Sequence, residues 1–172
     1  MAFRAPNGAR GPRRMARSCE KKGVMAMASL KEQSKTIRVD APPDRVMEVL
    51  LDFESYPQWM SNVLETRVLK RDSRKRGKHV LYRINAVVRE VEYVLEYSYG
   101  KGTIDISYVE GDLRDVRASY RLEDDGEGGT LLTYTYGADI GLPLAGFMVK
   151  RLNRTVMDAA LRDVKARAES GD

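Results

Sequence analysis

The chain offers few side chains that could act as nucleophiles, general bases or metal ligands. It contains one histidine, His79, and one cysteine, Cys19, which falls in an N-terminal stretch without apolar periodicity. Catalysis by a Cys–His or Ser–His–Asp arrangement needs a histidine base, and His79 directly follows the basic turn RDSRKRGK. A body with one histidine and no cysteine excludes disulfides and Cys-based zinc sites, so we expect no metal and no cofactor.

The acidic residues suggest acid–base chemistry only if they are buried. Glu90, Glu92 and Glu96 alternate along one segment and would share one face of a strand, which is typical of a solvated stripe. Arg83 and Asn85 share a face in the same way. They would orient a polar ligand group if that face lined a pocket, and would be surface residues otherwise. Catalytic residues therefore stay unassigned.

Tyrosine is unusually frequent, with nine tyrosines against three phenylalanines. A phenol combines an apolar ring with a hydrogen-bonding tip, which suits a pocket for a ring-bearing or quinone-like ligand. The alternative is that tyrosine simply favours half-buried strands. The tyrosines in predicted strands are Tyr82, Tyr93, Tyr97, Tyr99, Tyr108, Tyr120, Tyr134 and Tyr136.

The pattern of apolar residues predicts the elements that would position these side chains. Alternating segments predict seven strands, and the hairpin turns between them indicate antiparallel pairing. The predicted strands are 31–40, 63–72, 79–88, 90–99, 103–112, 113–124 and 130–140.

Helical spacing appears in three places. Pro43 suits a first helical turn, and Val46, Val49, Leu50 and Phe53 follow it at i, i+3, i+4 and i+7. A second short helix is expected after Pro57, and the longest helix is predicted over 144–169. The apolar side of that long helix is predicted to contain Met148, Leu152, Val156, Ala159 and Ala160.

These elements together predict an α+β fold. A curved antiparallel sheet of about seven strands would wrap around the long C-terminal helix, with two short helices after the first strand. The apolar face of such a sheet needs a cover, and the C-terminal helix is the only predicted element long enough to provide it.

The positive charge of the chain is concentrated at its start. Residues 1–28 hold seven lysines and arginines and one acid, which leaves 23 basic and 24 acidic residues in the body. The body therefore lacks the positive charge of a nucleic-acid binder. Residues 1–28 are predicted to be a disordered basic tail or a start-site artefact, with translation beginning at Met25 or Met27, and 29–172 to be the folded domain.

Four motifs give the chain a family resemblance. They are DAPPDRV at 40–46, YPQW at 56–59, GGTLLTY at 128–134 and GLPLAGF at 141–147. With the element order, they resemble the START-like (SRPBCC) superfamily of helix-grip proteins, and within it bacterial polyketide cyclase/dehydrase-like and coenzyme-Q-binding-like proteins. The resemblance covers roughly 32–168. It implies that 29–172 is a START-like ligand-binding domain, with a cavity between sheet and long helix that holds an apolar molecule. It does not imply one function, because this fold serves several.

The implied cavity gives a set of candidate ligand-binding residues. Trp59 would close one end of the cavity with the two short helices, or would be ordinary core that anchors its turn. The candidates are Trp59, Ile84, Tyr93, Tyr97, Tyr108, Ala118, Tyr120, Tyr134, Tyr136, Met148 and Leu152.

The leading functional prediction is binding or carriage of an apolar or aromatic small molecule, such as a lipid, a quinone or a polyketide. One alternative is a polyketide cyclase/dehydrase in which Arg83 or Tyr136 steers an aldol closure. Another is a partner-binding module with little cavity, which would use the basic turn from Arg74 to Lys78 unless that turn is only solvated charge. We predict a cytoplasmic protein without nucleic-acid partners or a transmembrane segment, and we leave its oligomeric state open.

Overall fold

A computed structural model describes residues 30–86 and 89–171, so the predicted basic tail at 1–28 lies outside the described residues. The described elements follow one another in the predicted order. The strands are β1 (Gln33–Val39), β2 (Val63–Arg71), β3 (Gly77–Asn85), β4 (Glu90–Gly100), β5 (Thr103–Gly111), β6 (Asp115–Asp124) and β7 (Thr130–Asp139). The helices are α1 (Pro43–Leu51), α2 (Tyr56–Trp59) and α3 (Gly146–Glu169), with a 3₁₀ turn at Phe53–Ser55.

The strands form one curved antiparallel sheet in the order β1-β7-β6-β5-β4-β3-β2. Strands β2 to β7 therefore lie side by side in chain order, and β1 pairs with β7 at the far edge. Register shifts interrupt the β2–β3 and β4–β5 ladders, and such irregularities bend strands and increase their twist. The predicted α+β helix-grip fold is confirmed.

Helix α1 begins as the sequence predicts, because Pro43 occupies its first turn, where a missing N–H costs nothing. Val46, Val49 and Leu50 are buried in the core. The helix ends at Leu51, earlier than the apolar spacing predicts, and Phe53 enters the core from the 3₁₀ turn instead.

Helix α3 has a different buried face from the predicted one. Its buried residues are Asn153, Met157, Leu161, Val164 and Ala168. The predicted stripe assumed that apolar residues alone mark the core side. Because the polar residue Asn153 begins the buried stripe, the predicted stripe lies one position out of phase with it.

The two ends of α3 are held differently. Near its C-terminus, Lys165 Nζ donates a hydrogen bond to the carbonyl oxygen of Arg38 at 2.6 Å, and Glu169 accepts one from the N–H of Asp40 at 2.8 Å. The first two turns contain no buried residue, and Phe147 is 74% exposed. The first turns of α3 therefore border solvent, although Gln33 Nε2 of β1 donates a hydrogen bond to the carbonyl oxygen of Lys150 at 2.8 Å.

Candidate functional site

An inner hollow of about 90 Å³ lies between the concave face of the sheet and α3. This volume is room for only a few water molecules. Seven tyrosines line it, and the other lining residues are apolar except Asn62. The tyrosines are Tyr56, Tyr82, Tyr93, Tyr97, Tyr120, Tyr134 and Tyr136.

Some of these phenols already have hydrogen-bond partners. The hydroxyl oxygens of Tyr82 and Tyr97 are 2.6 Å apart, and either can donate to the other. The hydroxyl of Tyr56 donates to the carbonyl oxygen of Leu50 at 2.7 Å, which ties α2 to the end of α1. These three phenols therefore support the wall of the hollow.

Tyr93 and Tyr136 differ from them. Both line the hollow, and their hydroxyls have no hydrogen-bond partner among the described residues. Tyr136 neighbours the stacked pair of Tyr120 and Tyr134, whose ring centroids are 4.2 Å apart. The hydroxyls of Tyr93 and Tyr136 are thus free to bind something that enters the hollow.

The hollow is polar in places but uncharged. Burial raises the pKa of all seven lining tyrosines and brings that of Tyr136 to about 12, so the phenols stay protonated near neutral pH. No described acidic, basic or histidine side chain lines this space. The hollow can donate and accept hydrogen bonds, but its described lining offers no carboxylate or imidazole as a general base.

A larger, outer groove of about 650 Å³ opens where the first turns of α3 meet three loops. The loops are those between β3 and β4, between β5 and β6, and between β7 and α3. Its wall is mainly apolar, with Arg89, Arg151 and Thr155 as the polar exceptions. The apolar lining residues are Ala86, Val91, Leu113, Ile140, Leu142, Leu144, Phe147, Met148 and Leu152.

The outer groove and the inner hollow are both lined by residues of β4 and α3. On β4, Val91 lines the groove and Tyr93, two residues on and on the same face, lines the hollow. On α3, Leu152 lines the groove and Val156, one turn later, lines the hollow. One molecule lying along β4 and α3 would therefore contact both spaces.

The structure distributes the predicted site residues over three places. Seven line the inner hollow: Ile84, Tyr93, Tyr97, Ala118, Tyr120, Tyr134 and Tyr136. Met148 and Leu152 line the outer groove, because the buried face of α3 is rotated away from them. Trp59 and Tyr108 line neither space. Contact of any of them with a ligand stays a prediction.

Trp59 lies one layer behind the hollow. Its Nε1 donates to Ser55 Oγ at 3.0 Å, and its ring meets the ring of Tyr56 edge-on at 4.9 Å. Tyr56 is the residue that reaches the hollow. This geometry matches the reading in which Trp59 anchors its turn.

Tyr108 is turned toward its own strand end. Its hydroxyl donates to the carbonyl oxygen of Gly111 at 2.8 Å. The register of β5 against β4 shifts between Val94 and Leu95, next to the position that pairs with Tyr108. Tyr108 keeps the alternation of Ile104 and Ile106 and packs, partly buried, against the core, so it lies on the predicted face of β5 but outside the hollow.

Sequence reasoning missed several lining residues. Tyr56, Met60 and Asn62 come from α2 and the loop after it, where no strand or helix period predicts direction. Val156 and Ala160 were assigned to the apolar side of α3, and they line the hollow at the border of its buried face. The spacing of Tyr56 and Trp59 was the available signal, but it did not tell which ring faces inward.

The remaining candidates for chemistry lie on the outer face of the sheet. Arg83 forms an ion pair with Glu65 at 3.0 Å, and His79 lies 3.6 Å from Glu96. Arg83 therefore does not border the hollow, where a cyclase would need it. In the basic turn, Arg76 pairs with Asp72 at 2.7 Å.

The described residues contain no group of three or more histidine, cysteine, aspartate or glutamate side chains that could hold a metal ion. None of the described helices is long and apolar enough to cross a membrane. The cytoplasmic location and the absence of nucleic-acid binding stay predictions.

The family of the chain follows from its sequence. The profile of the family described as polyketide cyclase / dehydrase and lipid transport matches residues 32–169. The chain belongs to this family. Among curated proteins, none matches the sequence significantly.

Solved structures share the fold at low sequence identity. A START superfamily protein from Mycobacterium smegmatis superposes with a TM-score of 0.78 at 22% identity, covering 82% of this chain and 99% of that one. The ZhuI aromatase/cyclase from a Streptomyces species gives 0.68 at 17% identity, covering 81% and 93%. A STAR-related lipid transfer protein from Xanthomonas axonopodis gives 0.63 at 18% identity, covering 80% and 85%. These similarities concern the fold.

Proposed function

We propose that this protein binds an apolar or aromatic small molecule between the sheet and α3, and that it carries this molecule rather than transforming it. The observation that supports the proposal best is the outer groove of about 650 Å³, whose lining residues on β4 and α3 neighbour those that line the inner hollow. Sites for small molecules typically have volumes of about 300–1,000 Å³ and mainly apolar walls.

The exposure of large apolar side chains at the groove supports the same conclusion. Leu142, Phe147 and Met148 are all exposed, and they lie together at the start of α3. A contiguous apolar surface of this kind is unfavourable in water and typically marks a binding site. A ligand in the groove would remove these side chains from water.

Carriage is favoured over catalysis by the chemistry of the inner hollow. Aldol closure needs a base that removes a proton from carbon and a donor that polarises the acceptor carbonyl. Protonated phenols can act as donors, but the described lining of the hollow contains no carboxylate or imidazole. In the proposed function, the protein therefore holds its ligand without a general base beside it.

A second candidate is a polyketide cyclase/dehydrase. The free hydroxyls of Tyr93 and Tyr136 favour it, because two donors in a water-poor site can stabilise an enolate-like oxygen. Arg83, which a cyclase mechanism could have used, pairs with Glu65 on the opposite face. The partner-binding alternative has less support, because Arg76 of the basic turn is engaged with Asp72 and stacks over Tyr99.

The direct test is mass spectrometry of an organic extract of the purified protein, followed by titration with a fluorescent fatty-acid analogue and with a quinone. We expect a co-purified apolar compound and saturable binding. Phe147→Asp should weaken binding, because it places a charge in the groove, whereas Leu131→Asp at a similarly apolar but distant strand position should not. Absence of both a bound compound and any binding across the panel would reject carriage.

Incubation with a poly-β-keto thioester separates the second candidate from the first. A carrier leaves the thioester unchanged beyond its spontaneous reactions. A cyclase gives a single ring product whose yield falls in Tyr93→Phe and Tyr136→Phe.

A further inference from the structure

The inner hollow is suited to a neutral oxygen and not to an ion. Its polar groups are protonated phenols and one amide, and no described cationic side chain lines it. A carboxylate or phosphate moved there would lose its hydration without gaining a positive partner, which is strongly unfavourable. The deep end of a bound molecule should therefore be uncharged.

Tyr93 and Tyr136 are the groups that a neutral oxygen would meet first. They come from β4 and β7, on opposite sides of the sheet's middle, and burial, with a smaller contribution from the phenol of Tyr136, raises the pKa of Tyr93. Neither hydroxyl is used by a described residue, whereas Tyr82 and Tyr97 bond to each other. Each free hydroxyl can donate one hydrogen bond to a ketone, hydroxyl or quinone oxygen.

The outer groove has the opposite electrostatic character. Arg89 and Arg151 line it, no acidic side chain is among its lining residues, and neither arginine has an ion-pair partner among the described residues. The backbone of Arg89 is tied to that of Ala86: the N–H of Ala86 donates to the carbonyl oxygen of Arg89 at 3.0 Å, and the N–H of Arg89 donates to that of Ala86 at 3.2 Å. Two unpaired arginines beside an apolar groove complement an anion.

We propose that the ligand is an anionic amphiphile bound in one orientation, with a neutral oxygen at Tyr93 and Tyr136 and a carboxylate or phosphate at Arg89 and Arg151. Arg89 directly precedes β4 and lies four positions before Tyr93, roughly 13 Å along an extended strand. An apolar chain of comparable length would connect the two polar ends through the groove. This inference rests on the proposed binding function and adds the polarity and direction of the ligand.

The test compares the affinities of the full-length protein for four matched probes: ω-hydroxydodecanoic acid, its methyl ester, dodecanoic acid and dodecyl phosphate. We expect the hydroxy acid to bind on the order of threefold to tenfold more tightly than its ester, because the ester lacks the negative charge that would face Arg89 and Arg151. It should exceed dodecanoic acid by a similar factor, since a neutral hydrogen bond is worth that much. The affinities for dodecanoic acid and dodecyl phosphate, compared with each other, show whether Arg89 and Arg151 bind a carboxylate or a phosphate more tightly.

Variants assign the two preferences to their residues. The double variant Arg89→Gln, Arg151→Gln should abolish the preference for acid over ester, whereas Arg154→Gln, an exposed arginine on the same helix outside the groove, should keep it. Tyr93→Phe and Tyr136→Phe should reduce the preference for the hydroxylated chain, and Tyr108→Phe, whose hydroxyl lies outside the hollow, should not.

The possible failures are distinguishable. If all four probes bind equally, and the arginine and tyrosine variants change nothing, the orientation proposal is overturned while the binding function stands. If no probe binds and the fatty-acid analogue also fails, both proposals fall together.

Discussion

The hydroxyl oxygens of Tyr82 on β3 and Tyr97 on β4 lie 2.6 Å apart within the inner hollow. Burial raises the pKa of both phenols well above its ordinary value. The pair is thus a neutral hydrogen-bonded bridge between neighbouring strands, surrounded by five further tyrosines. Loss of a proton from either phenol would place a charge in this buried, uncharged space. Alkaline pH should therefore destabilise the fold.

Alkaline pH should destabilise the protein from about pH 10 upward. Tyrosines of the unfolded chain ionise near pH 10, whereas the buried ones keep their protons, so above that pH the unfolded state binds fewer protons and the free energy of unfolding falls. Each buried tyrosine should lower it by about 1.4 kcal/mol per pH unit until its own folded pKa is reached, which for Tyr136 is about 12. Below about pH 10 this contribution is complete.

Denaturant unfolding at several alkaline pH values, with phenolate absorbance recorded in parallel, measures this effect. Tyr136→Phe is the matched control, and its stability should decline less steeply between about pH 10 and pH 12. Ionisation of the hollow tyrosines near pH 10 with an unchanged circular dichroism spectrum would show that they are accessible to water.

Trp59→Phe should leave ligand affinity unchanged. The indole lies behind Tyr56 and bonds to Ser55, outside both the groove and the hollow. The substitution should lower stability modestly, by about 0.5–1.5 kcal/mol, through loss of this hydrogen bond. Affinity is measured through the emission of a fluorescent fatty-acid analogue, since the variant has no tryptophan. A large loss of affinity would mean that Trp59 is a wall residue after all.

Thr130→Val should be clearly destabilising although it removes only one hydroxyl. Thr130 is completely buried at the start of β7, and its Oγ1 donates to the carbonyl oxygen of Ala41 at 2.7 Å. Valine leaves that buried carbonyl unpaired, which costs about 1–3 kcal/mol. Thr133→Val, whose hydroxyl bonds to Thr36 at a more exposed position, is the control and should cost less. Equal losses in chemical denaturation would contradict this account.

The fold was predictable because β-strand alternation is regular here. On β4, Val91, Leu95 and Tyr97 face the core while Glu90 and Glu92 face water, so the face of each strand could be read from its sequence. The helix-grip arrangement then followed, since only one predicted helix was long enough to cover the sheet. The prediction of seven strands and their order of appearance is confirmed.

The candidate site was predictable only where the same regularity holds. Ala118, Tyr120, Tyr134 and Tyr136 alternate on paired strands, and they meet in the hollow. The direction of Trp59 depends instead on a short turn, where no period gives the direction of a side chain. The separation of an uncharged inner hollow from an arginine-bearing outer groove was not predictable from the sequence, because each is lined by residues that lie far apart in the chain.

Asn153 explains the error in α3 and leads to a prediction of its own. This residue is buried, and its Nδ2 has no hydrogen-bond partner among the described residues. Asn153→Leu, of similar size, should therefore raise the free energy of unfolding by about 1–3 kcal/mol. Asn153→Ala is the control, since it removes the same polar group but leaves a void, and it should gain less. A loss of stability in the leucine variant would reveal a partner for the amide, such as a bound water.

Ala118 gives the sharpest separation between a ligand site and a solid core. It lies on β6 between Ile106 and Tyr136 in the pairing register, and it borders the inner hollow. Ala118→Leu places three more carbon atoms into this space, so stability should hold or rise while the affinity for ω-hydroxydodecanoic acid falls on the order of tenfold. The weaker binding follows because the side chain takes the place of the ligand's deep end.

Ala118→Trp extends the same test beyond the size of the hollow. An indole exceeds a space of about 90 Å³, so this variant should lose about 1–3 kcal/mol through overpacking as well as binding. Ser119→Leu, on the opposite face of the same strand, controls for the added bulk and should bind normally. Chemical denaturation and a binding titration of the three variants give both quantities. If Ala118→Leu were destabilised and still bound the probe normally, the space beside Ala118 would be closed core, and the ligand would have to lie entirely in the outer groove.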